Sequence, residues 1–249
     1  MKAFLPDGAN FGNPFDPDKF IWFYSEMYRF ASQDNQLEEL ISKIRLRPNL
    51  RYSDIRAVFE WKAGSKSTDH RTLAIPRSNT IIDLNAAAKI ACGNKRAIQS
   101  SEVEPTIEQY VNLPGVGLVY AITLLHFASS GRYPIYDKFA HLGLLACHSA
   151  IPVGAIISDR CYRKFWRSTK DWMDDYRAYC YMLDHCFGLR QCQNDERIDQ
   201  ALWTYGHLFN ENSRNLARSA NPTIIVPENL ENYLPNPVEL RKRARGYLA

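Results

Sequence analysis

The chain has 249 residues, enough to bury a core as one large domain or two small lobes. Its net charge of +4, with 45% apolar and 23% charged residues, is ordinary for a globular protein and too mild to mark nucleic-acid binding by charge alone. No apolar run is long enough for a membrane span, Met1–Pro6 lacks a signal-peptide core, and six dispersed cysteines without a CxxC pair give neither a zinc nor a redox motif. The expectation is a monomer with reduced cysteines in the cytoplasm, nucleoid or nucleus, not secreted and without a membrane partner.

In chain order, residues 1–15 read as an irregular arm rich in Gly, Asn and Pro. Asp16-Pro17 is a helix start, and Phe20, Trp22, Phe23, Met27, Phe30 and Ala31 give a helical apolar face. A second helix is expected over 36–45, and a third from Ser53 to Gly64. Residues 64–79 read as a long polar loop of the kind that is often functional. Asn79-Thr80 opens a helix expected to close at Gly93, and the next covers about 104–112 with Pro105 in its first turn.

After "LPGVG" comes "LVYAITLLHFAS", apolar almost all round and therefore a central, buried helix. "KFAHLGLLAC" past Asp137 is helical again. Residues 161–189 hold one long helix or two shorter ones, and 195–209 form the last helix. The fold class is all-α: residues 1–210 form one helical domain, and 211–249 a Pro-containing basic tail with a short β-like "TIIV". Two basic clusters stand out: Arg160, Arg163, Lys164, Arg167 and Lys170; and Arg241, Lys242, Arg243 and Arg245. Each is read first as a solvated face.

Leu113-Pro114-Gly115-Val116-Gly117 makes a tight turn between two helices. Its glycines leave backbone N–H groups uncovered where the next helix begins, and those groups with the positive end of the helix dipole form an anion site. A DNA phosphate suits it, contacted by the backbone of Leu113 to Gly117 and of Leu118 and Val119. The alternative is a plain turn between helices. Asp137 likewise has two readings, an N-cap or a carboxylate that does chemistry.

Helix, LPGVG, buried helix, a short loop with Pro134 and an aspartate twenty residues beyond Gly117 together resemble the helix-hairpin-helix DNA glycosylase superfamily. The likeness covers about residues 104–147. It implies a two-lobed helical fold with a cleft between lobes, double-stranded DNA as partner, and a base-excision repair reaction. Asp137 is then the catalytic carboxylate, stabilising an oxocarbenium-like sugar and directing water to it. Family members that also cut the strand carry a lysine two residues after the second hairpin glycine. Here that residue is Val119, which forms no Schiff base, so the implied enzyme is a monofunctional glycosylase without lyase activity.

Some relatives hold a four-cysteine iron–sulfur cluster. Cys180, Cys186 and Cys192 have the wrong spacing, so no cluster, metal or other cofactor is expected. A monovalent cation on hairpin carbonyls, by position those of Val111, Leu113 and Val116, is a further implication of the resemblance. Lys138 stands where the family commonly has a small residue.

Glycosylases flip the target base and read it by stacking and edge contacts. Tyr136, beside Asp137, is the leading pocket candidate, followed by Trp61 with Lys62; Lys138 is a candidate phosphate contact. Each aromatic has the competing reading of a core residue, as do Tyr133, Phe139, Trp203 and Tyr205. His126, on the stripe of Val119, reads first as a satisfied buried histidine. The rival function is a DNA-binding helix-hairpin-helix protein without catalysis, and a third is an all-α interaction protein that never meets DNA.

Overall fold

The computed structural model describes residues 16–31, 35–66, 69–75, 80–95, 97–148, 156–157, 162, 172–188, 196–208, 224–225 and 236–248. The expected N-terminal arm, the basic cluster from Arg160 to Lys170, Cys161, Cys192 and most of the expected tail lie outside these residues. The described chain is mostly helical. No helix among the described residues is long and apolar enough to cross a membrane. Two compact units emerge: Met1–Ala31 with Tyr136–Tyr247, and Ser32–Ile135 with Leu248–Ala249.

The first unit opens with α1 (Pro17–Ala31), whose start is where the Asp-Pro pair puts it: the Lys19 N–H donates to the Asp16 carboxylate. Its buried aromatic residues among those described are Phe20, Tyr24 and Tyr28, at i, i+4 and i+8, whereas Trp22 of the expected apolar face is 64% exposed. The aromatic stripe is rotated because the tyrosines, not the tryptophan, supply its inward edge.

In the second unit, α2 (Asn35–Leu46) and α3 (Tyr52–Ala63) follow the expected boundaries closely, and Gly64 ends α3 at φ 64°. The next stretch departs from expectation. Part of the "loop" is a strand, β2 (Thr72–Ile75), paired antiparallel with β3 (Thr80–Asp83), and the helix expected from Asn79 begins only at Leu84 as α4 (Leu84–Ala91). Two local forces explain this. Thr80-Ile81-Ile82 is a β-branched run that favours an extended backbone, and Asp83 is the better N-cap, accepting from the Ala86 N–H at 3.0 Å. Ile82 and Leu73 face each other inward, fully buried, while Ile81 points outward.

Two further strands, β1 (Asn49–Leu50) and β4 (Gly93–Asn94), pair antiparallel. The next helix, α5 (Ser100–Val111), starts four residues before the expected position, because the Glu102 carboxylate accepts from the Gln99 N–H and closes its first turn. Pro105 therefore lies in the second turn. It is tolerated there on an exposed face, where water can meet the Ser101 carbonyl that the missing Pro105 N–H does not serve. After it, α6 (Leu118–Ala128) is buried from Ala121 to Phe127, as its uniform apolarity predicts. It packs on α5 and α3.

Back in the first unit, α7 (Lys138–His148) packs against α9 (Glu196–Leu208), and α8 (Trp172–Phe187) packs against α7. The α7–α9 contact is made by glycine. A Cβ on Gly206 would stand 1.9 Å from the Phe139 carbonyl oxygen, and one on Gly143 2.3 Å from that of Leu202. Gly206→Ala should therefore cost about 3 kcal/mol or more, read as a lower urea midpoint, since neither contacting atom is a movable side chain.

The expected β-like "TIIV" contains β6 (Ile224–Ile225), paired in parallel with β5 (Ile156–Ile157). The end of the expected tail is a helix, α10 (Pro237–Ala244), capped by Asn236 and packed on α8 through a buried ion pair between Asp175 and Arg241 at 2.7 Å.

Candidate functional site

The LPGVG segment forms a tight reverse turn. The Val116 N–H donates to the Leu113 carbonyl at 3.0 Å, with Pro114 and Gly115 in the middle and Gly115 at φ 76°; Pro first and a left-handed Gly second is the residue order of a type II turn. Leu113 and Val116 are buried and anchor it, while Pro114 and Gly117 are exposed. The turn rests on the β2–β3 strand pair. The Asp83 N–H donates to the Pro114 carbonyl at 3.2 Å, and a Cβ on Gly115 would fall 1.9 Å from the Ile81 carbonyl oxygen. This buttress was invisible in the sequence, since nothing local in 64–83 points to residue 115.

The two glycines thus have different reasons to exist. Gly115 is demanded twice, by its positive φ and by the Ile81 backbone. Gly117 has an ordinary extended conformation at φ −84° and nothing within 4 Å of where a Cβ would be. It is the N-cap of α6 and gives that helix no side-chain cap. The leading N–H groups of α6 have no carbonyl of their own helix to reach. They begin at Leu118 and Val119, both half-buried. Of the carbonyls singled out for a cation, that of Leu113 already accepts from Val116 within the turn.

Val119 presents an isopropyl group, and its carbonyl accepts from the Thr123 hydroxyl at 2.7 Å. Lys95 has the lowered amine in this unit: burial brings it to about 8, Arg45 and Arg47 push the same way, and Asp54 opposes them. Its ammonium is committed to the C-terminal carbonyls of α2, donating to Ile44 and Arg45 at 2.7 and 2.8 Å, so it is a helix cap and not an amine held ready for a sugar. The Trp61 indole N–H donates to Glu38, its ring meets Phe127 edge-on, and the Lys62 ammonium lies 5.6 Å from the ring centre. Trp61 and Lys62 are both half-buried.

In the other unit, Asp137 caps α7. Its carboxylate accepts from the Ala140 N–H at 2.9 Å and its carbonyl accepts from the His141 N–H at 2.9 Å. The side chain is half-buried. Tyr136 is only 8% exposed, its ring packed against Tyr179, His141 and Tyr176. The Lys138 ammonium lies 4.7 Å from the Phe139 ring centre. Phe139 in turn meets the edges of Trp203 and His207, which stack on each other at 4.8 Å. Their i, i+4 spacing on α9 was a readable signal for that pair. Tyr205, on the same helix, packs on Phe20 and Tyr24.

Among the described residues His126 and His141 are wholly buried. His126 lies against the Tyr133 carbonyl through Nδ1 (2.8 Å), and its Nε2 accepts from Arg45 at 2.9 Å, which together require the neutral ring with the proton on Nδ1. Burial holds its pKa well below the usual value, and Arg45, Lys62 and Lys95 add to the effect. Tyr133 is itself buried and donates to the Ile98 carbonyl at 2.8 Å. His141 Nδ1 meets the Tyr162 hydroxyl at 2.8 Å; burial lowers this ring to about 3, against the opposing charge of Asp137.

Both folded-state values lie below the unfolded one near 6.5. The stability they confer is therefore complete above about pH 6.5 and is lost as pH falls, because only the unfolded chain takes up the protons. From pH 7 to 5.5 the unfolding free energy should drop by about 2–3 kcal/mol from these two rings. Urea titrations at the two pH values measure it, and a flat profile would mean the rings are protonated in the fold.

Among the described residues no group of three or more His, Cys, Asp or Glu side chains is placed to hold a metal ion, and Cys92, Cys147, Cys180 and Cys186 are reduced thiols. Compared with protein-family models, with curated proteins and with solved structures, the chain has no match in any of the three.

Proposed function

We propose that this chain is a monofunctional DNA glycosylase of the helix-hairpin-helix type, which hydrolyses the N-glycosidic bond of a flipped damaged or mismatched base in double-stranded DNA. In this reading the two units correspond to the two helical lobes of that fold. The observation that carries it is Gly117. The fold has room for a side chain there and its backbone angles suit any residue, yet the position is glycine at the exposed, uncapped start of a helix. A bare N-terminus is what an approaching phosphate needs. Gly115 and Ile81 make that turn rigid, so the donors are held in place before the phosphate arrives.

Asp137 supplies the charge that stabilises the sugar cation and directs a water to it. Its capping bond with Ala140 sets the orientation of the group. Val119 cannot attack the sugar, so the product is an intact strand with an abasic site. Tyr136, packed on three rings, supports the peptide that leads into Asp137; it is a wall and not a stacking platform.

The test is base release under single-turnover conditions from duplexes carrying uracil, oxidised guanine, alkylated purines and mismatches. Strand cleavage should appear only after hot alkali. Cleavage without alkali would refute the monofunctional assignment and point to an amine. Salt-sensitive binding with no release from any duplex would favour the non-catalytic DNA-binding protein, whose support is that Asp137 already has a structural task as a cap.

A further inference from the structure

We propose that α10 with its C-cap Arg245 is a second DNA-contacting element, in which Lys242, Arg243 and Arg245 bind backbone phosphates in addition to those held by the hairpin; this rests on the DNA reading above. Several of the chain's other cations are neutralised by a neighbouring carboxylate. Lys19, Lys43, Arg56 and Arg177 each have a carboxylate three or four residues away and pair with it: Asp16, Glu39, Glu60 and Asp174. Their charge is neutralised locally.

On α10 the pattern is different. Arg241 is turned inward and paired with the buried Asp175, which fixes the helix on α8. Lys242, Arg243 and Arg245 are exposed and make no ion pair among the described residues. Glu239 stands four residues before Arg243, at pairing distance along a helix, and does not pair with it. Three like charges within four positions repel one another. A helix C-terminus favours a cation by only about 0.3–1 kcal/mol at an exposed site, which is a reason for one such residue and not for three.

The surface suits a rod of phosphates and not a lipid headgroup layer. An interfacial helix needs an apolar face to insert, but Leu240 and Ala244 are already buried against the protein, leaving Val238 as the exposed apolar residue of the helix. The patch presents its cations to solvent. Its contacts would position the duplex and strengthen binding without reading sequence.

The experiment compares the full chain with the variant Lys242→Gln/Arg243→Gln/Arg245→Gln on one undamaged duplex over a range of salt concentrations. The expected result is binding about tenfold or more weaker near 0.1 M salt, with the slope of log K against log salt shallower by about two to three units, close to 0.9 for each phosphate no longer neutralised. Arg243→Gln alone should remove about one unit, which guards against a folding defect in the triple variant. An unaltered slope in the triple variant, with wild-type binding intact, overturns the proposal and leaves the hairpin reading standing. Loss of binding to vesicles rich in anionic lipid, with DNA binding unaffected, assigns the patch to a membrane and also overturns it. If the wild type binds no duplex at any salt concentration, the function reading fails first and this proposal with it; Gly117→Glu, which acts on the hairpin alone, marks that case by changing nothing.

Discussion

Asp137→Asn should slow base release at saturating enzyme by about a thousandfold or more while duplex affinity stays within about threefold of wild type. The substitution is well suited to the question because Asp137 has a structural task that Asn can also perform. Asn ranks with Asp as an N-cap, and its side-chain oxygen can accept from the Ala140 N–H as the carboxylate does. What is lost is the negative charge. A stabiliser of developing positive charge on a sugar cannot be replaced by a neutral amide, so rate and stability should separate. The melting temperature should move by no more than a degree or two, whereas Asp137→Ala, which also removes the cap, should cost about 1 kcal/mol in addition. Single-turnover release with alkali readout gives the rate, and thermal unfolding gives the control. Unchanged release in Asp137→Asn would reduce Asp137 to a cap. Equal loss of rate and stability would mean that the cap, not the charge, carries the effect.

The parts of this protein legible in its sequence are those decided within a few residues. The capped starts at Asp16 and Asp137, the glycine stop at Gly64 and the buried run of α6 are all local patterns, and they stand where those patterns put them. The strand pair β2–β3 was missed because two competing signals share residues 79–93: a β-branched run, and an alanine-rich helix whose cap is Asp83 and not Asn79. Prolines hid α10. They read as a tail, although Asn236-Pro237 is a cap followed by the residue best suited to a first turn. Contacts between distant residues were beyond reach. Arg45 meets His126 across 81 positions, and Asp175 meets Arg241 across 66. The sequence offered Tyr136 as a pocket residue on the strength of its neighbour, and only the three rings around it place it in the core. Nothing in "LPGVG" distinguishes its glycines; the backbone of Ile81 does.

That distinction separates the effects of substituting the two glycines. Gly115→Ala should destabilise the protein by about 3–5 kcal/mol. A non-glycine residue at φ 76° costs about 1–2 kcal/mol, and the new methyl must also displace a strand carbonyl 1.9 Å away. Gly117→Glu should do the reverse. Its side chain enters open space at φ −84°, and a carboxylate at the start of α6 interacts favourably with the helix dipole, so stability should hold or rise by about 0.3–1 kcal/mol. The same carboxylate occupies the place of the phosphate and repels the next one, so duplex binding should fall by at least tenfold. The two readouts therefore move in opposite directions, which a general folding defect cannot produce. Urea unfolding of both variants beside a duplex titration decides it. If Gly117→Glu binds DNA as wild type does, the turn joins two helices and holds nothing. If Gly115→Ala folds with wild-type stability, the turn is free to move off β3, and the argument for rigid donors at α6 falls with it.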